Sequence, residues 1–207
     1  MALAERAGMT SAEYLDWEER QPERWEYIGG EVYAMTGARR VHNIVVLNLG
    51  SALRQALSGT PCRPYVADMR VQVAASDVYF YPDVLVSCDA RDAQADRTLE
   101  HPRLIAEVLS DSTAAFDRGA KFGHYRLLPS LQEFVLIDPD ARSVELYRRG
   151  DAQSWVLTDL SRAEVITLCG VAVPMAALFD GLSEKADGLQ PAAALGGNPA
   201  GLEPQQL

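Results

Sequence analysis

Apolar and polar positions alternate between two periods along the chain, and the switches mark the elements. T-S-A-E at Thr10 to Glu13 reads as a capping box, which predicts a helix over Ser11 to Glu19. Trp25 to Ile28, Gly29-Gly30 and Glu31 to Met35 read as strand, tight turn and returning strand. Val41, Ile44, Val45, Leu47, Leu49, Leu53 and Leu57 recur at helical spacing, predicting a long helix from Arg39 to Ser58. Tyr65 to Val73 alternates as a strand, and Val78 to Ser87 is a second strand broken at Pro82. Asp89 to Arg97 is polar and reads as a loop with slight helical character.

Arg103 to Leu109 is an apolar strand, and Ala114 to Leu127 is the helix after it, with Asp111, Ser112 or Thr113 as its cap. Glu133 to Ile137, Ser143 to Arg148, Ser154 to Leu157, Val165 to Leu168 and Val171 to Val173 are further strands, and Pro174 to Phe179 is a last helical turn. Strands and helices interleave without repeats, so the expected class is α/β or α+β, a mixed sheet flanked by helices. One domain over residues 1–182 is expected, followed by a disordered tail over 183–207 of low-complexity Ala, Gly and Pro.

One position breaks the pattern of the strand Arg103 to Leu109. Glu107 lies inside Leu104-Ile105-Ala106-Glu107-Val108-Leu109 and shares a face with Ile105 and Leu109. A carboxylate on a strand covered on both faces is costly unless it is paired or binds a cation. Asp83 opens another apolar strand in Pro82-Asp83-Val84-Leu85-Val86. Two acids from neighbouring strands, with the carbonyl of Val108, form an oxygen ligand set suited to Mg²⁺ or Mn²⁺. Such an ion polarises a phosphodiester and generates a hydroxide nucleophile. The competing readings are a strand-start role for Asp83 and a structural ion pair of Glu107 with Arg118 or Arg126.

Composition sharpens this in one respect. Of 19 basic residues only Lys121 and Lys185 are lysine, and Lys185 lies in the expected tail. A compact ammonium differs from a guanidinium most where one point charge must fit beside a reacting centre. The competing reading is a helix-surface lysine in an arginine-biased sequence. The net charge of −10 argues against a passive nucleic-acid coat protein. It is compatible with a carboxylate site that meets phosphates through divalent cations, and it points to weak or partner-assisted DNA binding.

Hydrophobic residues at 48% and charged residues at 23% are ordinary for a globular protein. No apolar run approaches the roughly 20 residues of a membrane span, and Met1 to Thr10 lacks the apolar core of a secretory signal. Cys62, Cys88 and Cys169 are odd in number and scattered, so neither a zinc site nor a disulfide scaffold is expected, and the location is read as a reducing cytoplasm. There is no P-loop, no GxGxxG after a strand and no GxSxG elbow.

Taken in order, six segments carry a resemblance. They are Trp25-Glu26-Tyr27-Ile28-Gly29-Gly30-Glu31, Arg40-Val41-His42, Pro82-Asp83-Val84-Leu85-Val86, Ile105 to Thr113, Asp117-Arg118-Gly119-Ala120-Lys121 and Glu133 to Pro139. In this order and spacing, from about Thr10 to Leu182, the chain resembles the Uma2 family, formerly DUF820, of the PD-(D/E)xK restriction-endonuclease-like superfamily. The resemblance implies a restriction-endonuclease-like fold and a Mg²⁺- or Mn²⁺-dependent endonuclease acting on DNA. The superfamily's lysine two residues after the glutamate is Leu109 here, and the resemblance implies that Lys121 in the next helix replaces it. It also suggests Glu31 as a further acid, with His42 able to approach. Alternatives are a non-catalytic scaffold on the same fold, expected to hold the acids with an arginine, and a hydrolase with a narrow cleft for a smaller substrate. A homodimer suits cleavage of both strands of a duplex, and no base-reading module is present.

Overall fold

The computed structural model describes residues 7–182 apart from 36 and 152–153, so the expected tail lies outside the described residues. Helix α1 (Ser11–Glu18) starts at the capping box: Thr10 Oγ1 accepts the Glu13 amide at 3.3 Å, and Glu13 Oε2 accepts the Thr10 amide at 2.8 Å. Strands β1 (Trp25–Ile28) and β2 (Glu31–Ala34) form the predicted hairpin. Its turn residues Gly29 and Gly30 have φ of 51° and 103°. A two-residue turn matched to strand twist requires this left-handed region, which glycine enters without steric cost.

The hairpin belongs to a five-stranded sheet ordered β2, β1, β5 (Val78–Phe80), β4 (Arg70–Val73), β7 (Thr98–Leu99). A six-stranded sheet runs β11 (Trp155–Asp159), β10 (Ser143–Arg149), β9 (Glu133–Asp138), β8 (Pro102–Val108), β6 (Val84–Ser87), β3 (Arg63–Val66). β8 and β9 are parallel and the other pairs of this sheet antiparallel, giving the mixed sheet expected from the interleaved elements. A separate hairpin of β12 (Val165–Leu168) and β13 (Val171–Pro174) leads into a short helix, α5 (Met175–Leu178).

The two long strands read from the sequence each divide. β3 and β4 lie in different sheets, joined through Ala67 and Asp68, both at φ 48°. β5 and β6 likewise change sheet across Tyr81, Pro82 and Asp83. Pro82 marks the second crossing in the sequence, whereas no glycine or proline marks the first, and β5 and β6 are buried at every position.

Both faces of the six-stranded sheet are covered. Val45, Leu49 and Leu53 of α2 (Arg40–Ala56) pack on the face carrying Val84, Leu104, Ala106 and Val108. The other face carries Leu85, Ile105, Phe134 and Leu136 and meets Phe80 and Tyr125. Glu107 emerges on this second face, as its parity with Ile105 requires.

The helix expected over Ala114 to Leu127 is in three pieces: α3 (Ala114–Phe116), a π-turn at Asp117–Lys121 and α4 (Phe122–Tyr125). Thr113 is the N-cap, but its side chain caps no amide; its Oγ1 lies 2.9 Å from Ser110 Oγ. The widened turn carries two buried ionic side chains, Asp117 and Lys121. Such single π-turns recur at functional sites.

The cysteine expectation is corrected. Cys62 and Cys88 form a disulfide, and Cys169 is the free thiol among the described residues. The two are 26 positions apart, yet β3 and β6 pair Arg63 with Ser87, which sets Cys62 opposite Cys88. The cysteines therefore give no argument for a reducing compartment. No described helix is long and apolar enough to cross a membrane.

Candidate active site

The site forms where the two sheets and the broken helix meet. Asp83 sits in the crossing between β5 and β6, and Glu107 is the penultimate residue of the neighbouring β8. Their connection is through backbone. Asp83 Oδ2 accepts the Val108 amide at 2.7 Å, and the Asp83 amide points at Glu107 Oε2 at 3.4 Å. The pairing of Val84 with Ala106 fixes this reciprocal contact. His42, in the first turn of α2, places Nε2 3.1 Å from Asp83 Oδ2, while its buried Nδ1 has no hydrogen-bond partner.

Lys121 reaches Glu107 from the π-turn, with Nζ 3.0 Å from Glu107 Oε1. It also lies 3.1 Å from Glu26 Oε1 and 3.9 Å from Asp117 Oδ1, and 5.5 Å from the centre of the Phe80 ring. Tyr125 donates its hydroxyl to Glu107 Oε1 at 3.0 Å. Glu107 and Lys121 are nearly excluded from solvent, at 3% and 6% exposed. Asp83, Glu107 and Lys121, singled out from sequence, are thus brought together. Neither Arg118 nor Arg126 is the partner of Glu107: Arg118 pairs with Glu145 at 2.8 Å, and Lys121 holds the place.

Glu31 stands apart. It is exposed at the start of β2, and its carboxylate accepts the Tyr33 hydroxyl. Glu26, opposite Tyr33 on β1, takes the position near Lys121 instead. Sequence reasoning missed Glu26, Asp117 and Tyr125. Glu26 carried a readable signal, a lone carboxylate in Trp25-Glu26-Tyr27-Ile28, the same anomaly that marked Glu107.

The electrostatics follow from burial. Glu26, Glu107 and Asp117 meet one ammonium and Asp83 lies beside Glu107, a formal excess of three negative charges before His42 is counted. Desolvation pushes the Glu107 carboxyl well above the usual range against the pull of Lys121, and Asp83, Asp117 and Glu26 push the same way. Asp117 is raised for the same reasons, burial first. Burial disfavours the Lys121 ammonium, but the carboxylates outweigh it and its pKa is raised, so it stays charged. Burial likewise lowers His42, but the hydrogen bond and charge of Asp83, with Asp117 behind, raise it overall.

The residues fit a hard divalent cation on the chemistry of their donors. Among the described residues, no three acidic, imidazole or thiolate groups converge at ligand spacing. Mg²⁺, however, is commonly held by one or two carboxylates, with water and substrate phosphate completing its shell. Asp83 offers Oδ1, since Oδ2 meets His42 Nε2 and the Val108 amide. Glu107 offers Oε2 on the side away from Lys121 and Tyr125. The carboxylate excess supplies the charge that such an ion would neutralise.

Glu26, Asp83, Glu107, Asp117 and Lys121 line a cavity of about 450 Å³. Its walls are the β1–β2 hairpin, the start of α2 and the loop Ser110–Thr113.

A family model for Uma2, described as "Putative restriction endonuclease", matches residues 11–175. Two proteins of Synechocystis sp. (strain ATCC 27184 / PCC 6803 / Kazusa) are similar to the chain. The one named "Uncharacterized protein sll1609" is 40% identical over 162 residues, 77% of this chain and 92% of that protein. The one named "Uncharacterized protein slr1290" is 34% identical over 168 residues, 81% of this chain and 88% of that protein. A solved structure described as a putative nuclease belonging to DUF820 from Anabaena variabilis ATCC 29413 shares the fold. Its TM-score is 0.67 at 21% identity, covering 83% of this chain and 97% of that one.

Proposed function

We propose, on the premise that the chain belongs to the Uma2 family, that it is a divalent-metal-dependent endonuclease that hydrolyses DNA phosphodiester bonds. The observation that carries this reading is the charge balance of the cluster. Three carboxylates, Glu26, Glu107 and Asp117, meet a single lysine in the lining of a cavity, and a fourth, Asp83, lies beside Glu107. A structural ion pair needs one acid for one base; this arrangement leaves room for a divalent cation.

In this reading Asp83, Glu107 and the Val108 carbonyl hold Mg²⁺ or Mn²⁺. The bound ion would polarise the phosphodiester and lower the pKa of a water molecule. The backbone contacts between Asp83 and the Glu107–Val108 peptide hold the two acids in fixed register. Lys121 orients the attacking water or stabilises the charge that builds on the phosphoryl oxygens. Glu26 and Asp117 hold the ammonium in place beside Glu107. The expected arginine of the scaffold alternative is absent from the described cluster, which favours the catalytic reading.

The test is plasmid nicking with Mg²⁺ or Mn²⁺, comparing wild type with Asp83→Ala and Lys121→Ala. Wild-type nicking lost in both variants is expected. Activity that survives both substitutions removes the assigned site, and an inactive wild type favours the scaffold.

A further inference from the structure

We infer that the cavity beside the acid cluster receives a single unpaired nucleotide, so that the enzyme cuts single-stranded or frayed DNA in preference to closed duplex. This rests on the nuclease reading and narrows its substrate. Three observations support it.

The first is depth. Glu107, Asp117 and Lys121 are 3%, 4% and 6% exposed, so a phosphate must enter the cavity to meet them. Phosphates on a stacked duplex lie on the outside of a stiff cylinder. Enzymes that act deep in a pocket take the nucleotide out of its stack or use a single strand. A cavity of about 450 Å³ lies in the ordinary range for small-ligand pockets.

The second is the wall. Tyr33, Met35, Val41, Val46 and Phe116 line the cavity, together with the polar residues near the acids. A purely phosphate-tracking groove has no use for this apolar surface; the face of a base does. Tyr33 is anchored through its hydroxyl to Glu31, which leaves the ring available as a platform. Stacking on aromatic rings is sequence-tolerant, since every base has a π-face.

The third is charge. Five acids, Glu26, Asp83, Glu107, Asp111 and Asp117, line the cavity, against Arg39, Lys121 and His42. Arg39 is engaged by Asp140 at 2.7 Å and Lys121 by the cluster. Duplex affinity comes mainly from several phosphate contacts made by free basic groups. A site that gains from stacking on one base depends less on them.

The experiment uses the full chain with Mn²⁺ and three substrates: an end-labelled single strand, the same strand annealed to its complement, and bis(p-nitrophenyl) phosphate. The single strand is expected to be cut about tenfold faster than the duplex, and Tyr33→Ala to raise KM for it about tenfold with a smaller effect on kcat. Tyr33→Phe, which keeps the ring, is expected to restore KM. Duplex cut as fast as single strand, with the small diester also hydrolysed, overturns the unpaired-nucleotide inference and leaves the nuclease reading standing. An unchanged KM in Tyr33→Ala overturns the platform. Failure to hydrolyse any of the three overturns the nuclease reading itself.

Discussion

Replacing Lys121 by methionine keeps the volume of the side chain and removes its charge from the most buried part of the site. The ammonium lies 3.0 Å from Glu107 and 3.1 Å from Glu26. At an effective dielectric constant of about 20, each contact represents about 5 kcal/mol of gross attraction. Desolvation of the ions offsets several kcal/mol of this, and removing one partner of a buried pair costs about 3–5 kcal/mol net. For a domain of this size that corresponds to a fall in Tm of roughly 6–20 °C. The loss depends on pH with a definite sign. Lys121 is the group that holds the Glu107 pKa down. Without it the folded-state pKa of Glu107 rises further above its unfolded value of about 4.3. The folded variant then binds more protons than the unfolded chain, so its stability falls as pH rises between the two values. The slope is at most about 1.4 kcal/mol per pH unit for one proton. The wild-type carboxyl is raised as well, so the loss relative to wild type grows with pH only between the folded-state values of the two proteins, and it is smaller at pH 5 than at pH 8. Urea unfolding of both proteins at the two pH values measures it. An equal loss at both, or a loss below about 1 kcal/mol throughout, refutes Lys121 as the counter-charge of Glu107.

Glu26→Gln and Glu31→Gln separate the observed acid from the one suggested by resemblance. Loss of the Glu26 charge should reduce Mn²⁺-dependent nicking about 10- to 100-fold, the usual cost of removing a group that positions a neighbour in a metal site. Glu31→Gln should stay within about twofold, since Glu31 is exposed and its carboxylate meets Tyr33. Equal effects in both variants contradict the placement of Glu26. Cys62→Ser opens a loop of 26 residues, for which the chain-entropy relation gives about 3.5 kcal/mol. Urea unfolding of oxidised wild type and the variant should differ by about that amount, and the difference should vanish when wild type is reduced. Identical midpoints for oxidised and reduced wild type count against the bond.

What the sequence disclosed depended on whether a signal was local. The Gly29-Gly30 turn, the apolar stripe of α2 and the capping box at Thr10 are each decided within a few residues, and each appears where expected. Glu107 was legible for the same reason, as a charge among immediate apolar neighbours. The sheet crossing at Ala67-Asp68 was not, and Pro82 marked a break without showing that the chain changes sheet there, because a local pattern does not report which sheet buries a residue. The Cys62–Cys88 bond depends on the register of β3 against β6, a long-range property. The π-turn is tied to burial of Asp117 and Lys121, which only the packed structure reveals. Glu26 was overlooked because Glu31 follows the conspicuous turn, although parity puts the two acids on one face of the hairpin.

The crossings explain why the site lies where it does. Glu26 comes from the five-stranded sheet, Glu107 from the six-stranded one, and Asp83 from the short link between them. Lys121 touches members of both sheets from the broken helix. None of these elements can hold four carboxylates together alone, since like charges at such spacing repel. The apolar packing of the two sheets and Phe80, Tyr125 and Phe134 opposes that repulsion. The site is therefore a strained charge cluster at a seam, and whatever neutralises it also tightens the seam. A divalent cation bound at Asp83 and Glu107 should accordingly protect the amides of β1 and β6 alike from hydrogen exchange. Protection confined to β6 and β8 would mean that the cation and the five-stranded sheet are uncoupled, and that Glu26 steadies Lys121 without sharing in the binding of the ion.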